Sequence, residues 1–259
     1  MAETRDANEL LWQASEKGSL QDVKTALKSG ADIDFDHADC EGCSGTALYV
    51  ASTVGHVDIV RLLLRKGASL VKRAKTSAAP LHVAAIEGKT EVVDLLVQHG
   101  ATLDTQDGWQ KTPLMVAFSY NRVDTVRRLI ELGARPDLVT DDYIATMLKY
   151  LDCDESLKLV QEARQSKLLR CCNPKCGKPD YRSALKLCGG CKLTRYCSRD
   201  CQIQHWSVGH KKCCGHDVYT DEQEDPFEYW FSLLESYAEE HGYEPFLQHV
   251  QQSLAAING

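Results

Sequence analysis

The sequence predicts a mostly α-helical protein: a helical-repeat solenoid, then a small cysteine-rich module built on metal, then a short acidic helical tail. Three observations carry this reading. A unit recurs every 33 residues through the first half of the chain. Nine of the 12 cysteines fall between Cys171 and Cys214. Residues 215–259 hold ten Asp and Glu and no Lys or Arg, yet carry eight aromatic side chains.

Composition sets the outer limits. A chain of 259 residues allows one or two domains. Its 43% hydrophobic and 26% charged content is ordinary for a globular protein. The formal net charge of −7 argues against bulk nucleic-acid binding. No apolar run approaches the roughly 18 residues of a membrane helix. The start, "MAETRDANELLWQA", has no basic region followed by an apolar core, so no secretory signal is expected and the expected location is cytoplasmic, nuclear or both.

The repeat comes first in chain order. "TAL" (46–48), "APL" (79–81) and "TPL" (112–114) lie 33 residues apart, and so do Gly67, Gly100 and Gly133. Between them run apolar patterns of helical period, "VDIVRLLL", "TEVVDLLV" and "VDTVRRLI". An earlier copy, "LLWQASEKGSLQDVKTALKSGADI", fits the same template. Four residues are added near "HADCEGC", where His37, Cys40 and Cys43 have ligand-like spacing but read as a surface turn.

Period and "TPLH"-like start together resemble the ankyrin repeat, about four copies over residues 5–140. The resemblance implies paired antiparallel helices that bury their apolar faces only by stacking. Residues 141–169 keep the helical periodicity but lose the glycine turn, and are expected to cap the stack. The family's protein-binding surface is made of turn tips and first helices. Two tips stand out: Trp109 on "DGWQK", and the basic "VKRAK" with Lys72, Arg73 and Lys75. Exposed Trp and Arg are frequent contact anchors. His82, in the "TPLH" position, is expected to be structural.

The cysteines of 171–214 come in pairs: Cys171-x4-Cys176 or Cys172-x3-Cys176, then Cys188-x2-Cys191, Cys197-x3-Cys201 and His210-x3-Cys214. Four pairs supply eight ligands, enough for two tetrahedral zinc sites with no open position, hence structural rather than catalytic. Dense thiols in a reducing compartment read as ligands, not disulfides. From Arg164 to Lys212 there are twelve Lys and Arg against Asp180 and Asp200. That positive charge helps to stabilise thiolates.

"YCSRDCQIQHW" followed by "GHKKCC" resembles the MYND zinc finger. The resemblance implies interleaved pairs: Cys171, Cys176, Cys197 and Cys201 on one zinc, and Cys188, Cys191, His210 and Cys214 on the other. It favours Cys171 over Cys172 and Cys214 over Cys213, and leaves His205 outside the ligand set. It also implies recognition of short proline-containing peptides by a groove to which Gln202 and Trp206 correspond. Gly189 falls where some peptide-binding members carry a serine.

The tail, 215–259, has two segments with apolar residues on one helical face: Phe227, Trp230, Phe231, Leu234 and Tyr237, then Phe246, Val250 and Leu254. Two short helices are expected, covering the finger or the stack.

These readings point to a non-catalytic adaptor whose partners are proteins, with two structural zinc ions as cofactors and no catalytic residues. No nucleophile elbow, phosphate loop or carboxylate motif is present. After the finger too few residues remain for the methyltransferase fold that some MYND proteins carry. The alternative is a component of a ubiquitin-ligase system using the cross-braced zinc fold, although the central Cys-x-His of RING modules is absent.

Overall fold

A computed structural model describes residues 2–37, 45–74, 77–150 and 153–215, with side chains from residue 6 onward and excepting Tyr150. These all fall within a compact unit spanning Met1–Thr220. Cys40, Cys43 and Lys75, and the tail from 216 with its two expected helices, lie outside the described residues.

Among the described residues four helix pairs run along the chain: α1 (Ala2–Lys17) with α2 (Leu20–Lys28), α3 (Ala47–Val54) with α4 (Val57–Lys66), α5 (Pro80–Ile86) with α6 (Thr90–Gln98), and α7 (Pro113–Ser119) with α8 (Val123–Leu132). Two further helices follow, α9 (Asp141–Tyr150) and α10 (Asp154–Ser166), and α10 packs on α8. A 3-10 turn, Pro136–Leu138, precedes α9. No described helix is long and apolar enough to cross a membrane.

Local chemistry explains the helix ends. Thr46 and Thr112 cap α3 and α7, their hydroxyls accepting from the Tyr49 and Met115 amides. Pro80 and Pro113 occupy the first position of α5 and α7, where a missing N–H costs nothing. In the turn between helices, Gly55 and Gly88 adopt the left-handed conformation, and Asn121 (φ 49°) takes the same place in the next repeat. Asn121 then accepts from the amide and hydroxyl of Ser156, tying the repeat to α10.

The 33-residue period reappears as two columns of core leucines. Leu48, Leu81 and Leu114 come from first helices and Leu63, Leu96 and Leu129 from second helices, all fully buried. First helices pack on first helices (α3 on α5, α5 on α7) and second on second (α4 on α6, α6 on α8). Each interface buries an apolar stripe that one pair alone would leave in water.

His82 is structural, as its position implies. Its Nδ1 accepts the Ala79 amide at 3.2 Å, so Nε2 carries the proton and donates to the Lys111 carbonyl at 3.0 Å, joining neighbouring repeats. Burial, then the Arg73 charge, lowers its pKa to about 3. His37 stacks on Trp12, with ring centroids 4.6 Å apart, and its Nε2 lies 2.7 Å from Glu9.

Two short hairpins follow. β1 (Leu168–Arg170) pairs antiparallel with β2 (Pro179–Tyr181), placing Leu169 opposite Asp180, and β3 (Lys186–Leu187) pairs with β4 (Arg195–Tyr196). Helix α11 (Arg199–His205) is capped by Ser198, whose hydroxyl accepts the Cys201 amide. It continues through a wide turn, Trp206–His210, into α12 (Lys211–Cys213).

The cysteine-rich module sits directly against the repeats. The Cys172 thiol points at the Gly133 carbonyl (3.8 Å) and accepts the Arg195 amide (3.3 Å). Arg182 reaches Asp137 at 3.0 Å, and Asp137 also holds Arg135 at 2.6 Å. Gly209 lies backbone to backbone on Gly100, so close that a Cβ on either glycine would overlap the other strand of chain.

Candidate metal centres and recognition surface

Backbone turns aim the thiols. After β1 the chain folds over Asn173, whose carbonyl accepts the Cys176 amide (2.8 Å) and whose side chain accepts the Lys175 amide (3.1 Å). This turn brings Cys176 back toward Cys171. Between β3 and β4 the Cys188 amide donates to Thr194 (2.9 Å) and the Lys192 amide to Cys188 (3.1 Å), a tight knuckle that pairs Cys188 with Cys191. The first turn of α11 faces Cys197 toward Cys201, and the last turn of the module faces His210 toward Cys214.

Two four-membered groups result. Ligand atoms of Cys171, Cys176, Cys197 and Cys201 all lie within 4.8 Å of one another, as do those of Cys188, Cys191, His210 and Cys214. Within them Cys176–Cys197 is 3.7 Å, Cys197–Cys201 3.5 Å and Cys188–Cys214 3.6 Å, and Cys191 lies 3.6 Å from His210 Nε2. A tetrahedral zinc with bonds near 2.3 Å to sulfur requires sulfur–sulfur edges of about 3.8 Å. The spacing and the donor set, seven sulfurs and one imidazole, therefore fit zinc.

The thiols of the two groups are shifted in both directions. Burial pushes the Cys171 thiol well above its ordinary range, and burial followed by the neighbouring Cys188 pushes Cys214 up to about 12. Elsewhere hydrogen bonds outweigh burial: they hold the Cys188 and Cys191 thiols below their ordinary range, and the Ser198 hydroxyl helps to bring Cys201 down to about 7. A divalent cation between the thiols favours the ionised form of all of them. Cys172 is a contrast. It is buried on the repeat side, away from both groups, and burial together with the Asp104 charge raises it to about 12, so it remains a thiol. Cys213 is buried and also stands outside both groups.

His205 takes no part in either group. Its ring stacks on His210 with centroids 5.0 Å apart, and Nδ1 lies 2.9 Å from the Tyr196 hydroxyl. Burial, then His210, lowers its pKa to about 4, so it packs as a neutral ring. Thr194, which no spacing rule singles out, sets its hydroxyl 3.3 Å from His210 Nε2 and 3.6 Å from Cys191.

Trp206 stands edge-on to His210, ring centroids 6.0 Å apart, while 43% of it remains exposed. Its amide donates to Gln202, one helical turn earlier, and Ile203 is exposed beside them. Gly189 has open space where a Cβ would stand.

On the basic tip Arg73 is held by its neighbours. Its guanidinium donates to the Ser77 and Gln106 carbonyls (2.6 and 2.8 Å) and to the Thr105 hydroxyl (3.0 Å). It tethers adjacent tips, because a planar fork of donors matches the carbonyls exposed in the turn. Lys72 is exposed, and Trp109 is half-buried, its amide donating to Asp107.

A second feature invisible in the sequence is the charged seam between repeats and module. Asp104 is buried and accepts the Arg135 amide at 2.9 Å, and burial raises its pKa to about 7. Arg195 is buried nearby; burial, then Arg135 and Arg182, lowers its pKa, while Asp137 and Asp104 oppose the shift. Farther along, burial and then Arg61, Lys212 and Arg65 hold His99 below its ordinary value.

A stack of helix pairs carrying a module with two tetrahedral donor sets defines a helical-repeat protein with a zinc finger. The family model for ankyrin repeats (3 copies) matches residues 11–107 and 70–141, together half of the chain, and that for the MYND finger matches 171–214. The chain belongs to the ankyrin-repeat family and carries a MYND finger, which is a zinc-binding domain. Over 51 residues it is 45% identical to Ubiquitin carboxyl-terminal hydrolase 17 of Arabidopsis thaliana, covering 17% of this chain and 7% of that protein. The likeness is thus to a small part of that relative.

Proposed function

We propose that the protein is a non-catalytic adaptor that binds partners through the turn tips and first helices of its repeats and through its finger. Ankyrin repeats and MYND fingers are both protein-interaction modules. In this reading Cys171, Cys176, Cys197 and Cys201 hold one zinc ion, and Cys188, Cys191, His210 and Cys214 hold a second. Four protein ligands on each ion leave no place for a reacting water, so both ions are structural. A cytoplasmic or nuclear location belongs to the same reading, since thiolate sites persist where thiols stay reduced.

The finger then recognises short proline-containing peptides. One observation carries this: Trp206 stands edge-on to His210 with 43% of it exposed, and Gln202 is one turn away. An indole fixed in this way accepts apolar side chains on its free face, and an amide one turn along can hydrogen-bond an extended backbone. Trp206→Ala is expected to weaken binding of a proline-containing peptide by at least about 2 kcal/mol, roughly thirtyfold. Zinc content should stay near that of the wild type. Peptide titration and metal analysis on the same preparation decide it: unchanged affinity, or loss of zinc together with binding, removes the reading.

The Arabidopsis relative bears a hydrolase name, but the shared stretch is 7% of its length and no hydrolase activity is carried over. The interleaved pairs favour one second reading, a component of a ubiquitin-ligase system. Autoubiquitination separates the two, because an adaptor forms no ubiquitin chains with any conjugating enzyme.

A further inference from the structure

Two cavities open where the finger meets the repeats. One, of about 310 Å³, lies beside α8 and Cys176. Its cations are already engaged: Arg128 pairs with Asp94 and Glu131, and Arg170 donates to the Gly177 carbonyl. The other, of about 490 Å³, lies between the C-terminal end of α4 and the turn before α12. Leu64, Leu70 and Val208 give it an apolar wall, and Arg65, His99 and Lys212 a polar one.

The second cavity has unused binding capacity. Among the described residues the charged ends of Arg65 and Lys212 make no hydrogen bond or ion pair, although both side chains are exposed at its rim. No Asp or Glu lines it. Asp34 is close by, but its carboxylate accepts the Ser69 amide at 2.7 Å. Val208 is 39% exposed, an apolar side chain left in water beside two free cations.

We propose that this seam is a second docking site, taking an acidic segment of a partner protein with a branched apolar side chain between its carboxylates. The apolar side chain covers Leu64, Leu70 and Val208 while carboxylates pair with Arg65 and Lys212. Helix α4 ends at the cavity and brings a partial negative charge, which offsets some of the positive field and suits a singly charged carboxylate better than a doubly charged phosphate. The site is built from both regions of the chain, so it exists only while the finger is docked. Trp206 does not line it, and the proposal does not depend on the peptide groove.

Anisotropy titrations of the full chain test this with labelled decapeptide pools. One pool holds only Glu, Leu and Ile; in the others Lys or phosphoserine replaces Glu, and a single-stranded DNA serves as a further probe. The Glu pool should bind best. Arg65→Glu and Lys212→Glu should each weaken it at least about tenfold, and salt raised from about 0.05 to about 0.5 M should weaken it further. Trp206→Ala should leave it unchanged. Zinc content and helical signal show whether each variant is folded, and Arg65→Gln and Lys212→Gln replace any that is not. Equal binding of the Glu and Lys pools, tighter binding of phosphoserine or DNA, indifference to Arg65 and Lys212, or loss in Trp206→Ala would each overturn the proposal.

Discussion

The repeat stack and the finger hold together by different means. The stack buries two columns of leucine at a fixed period, and any one column position has apolar neighbours above and below. The finger has little of this: its strands are two or three residues long, and the side chains at its centre are cysteine, histidine and one tyrosine. Apolar area holds the first together and metal–ligand bonds the second. Stability in the stack is therefore distributed over many residues, whereas in the finger it is concentrated in eight.

Removing metal should separate the two regions most sharply. The protein is expected to carry about two zinc equivalents, and structural zinc contributes about 10–16 kcal/mol of apparent folding free energy in small modules. Strong chelation should abolish amide protection across 171–214 while the helices of the stack stay protected and the amides around Gly100 and Gly133 lose part of theirs. If all helices exchange together, the two regions are one cooperative unit and the contrast fails.

The next effect in size lies at the seam. Gly209→Ala places a methyl group against the His99 carbonyl, which as backbone cannot swing aside. A cost of about 1–3 kcal/mol is expected, as for overpacking in a core. Thermal melts should show it for Gly209→Ala, while Gly189→Ala, with open space at its Cβ, should match the wild type.

Within the stack, His82 gives a pH effect. Its folded pKa, about 3, lies below that of the free imidazole, so its contribution is complete above pH 6.5 and is lost as pH falls toward 3. Between pH 6.5 and pH 5 the loss should be about 2 kcal/mol. Urea midpoints of wild type and His82→Gln across this range test it; equal slopes would show that the histidine is protonated without penalty.

The smallest effect concerns the finger's surface. Gly189→Ser should change stability by less than about 0.5 kcal/mol, as exposed substitutions do. The added hydroxyl should tighten binding of a proline-containing peptide. Weaker binding would place the peptide elsewhere.

Much of this architecture was legible beforehand, and unevenly. The 33-residue period revealed the repeats because stacking forces equivalent positions to face equivalent neighbours. Cysteine pairs revealed the metal module because tetrahedral geometry restricts the gap between two ligands on one turn. Spacing alone could not choose between Cys171 and Cys172; the structure sets Cys171 in a metal group and Cys172 against Gly133. The bonds that Arg73 makes to the next tip were not legible, because composition does not report which carbonyls a neighbouring repeat leaves open. The cavity at Arg65 and Lys212 left no trace, since its two walls lie more than a hundred residues apart in the chain.

Cys171 and Cys172 stand next to each other and face opposite ways, one toward a metal group and one toward the repeats. Successive residues of an extended chain alternate sides, so a slip of one position would exchange them. The incoming side chain would be chemically identical, and a zinc ion would accept it equally well. The metal is therefore blind to that error. What distinguishes the two frames is the surface behind them, where only one arrangement sets a thiol against Gly133 and the Arg195 amide while leaving β1 paired with β2. The repeats thus serve the finger as a template that checks its reading frame.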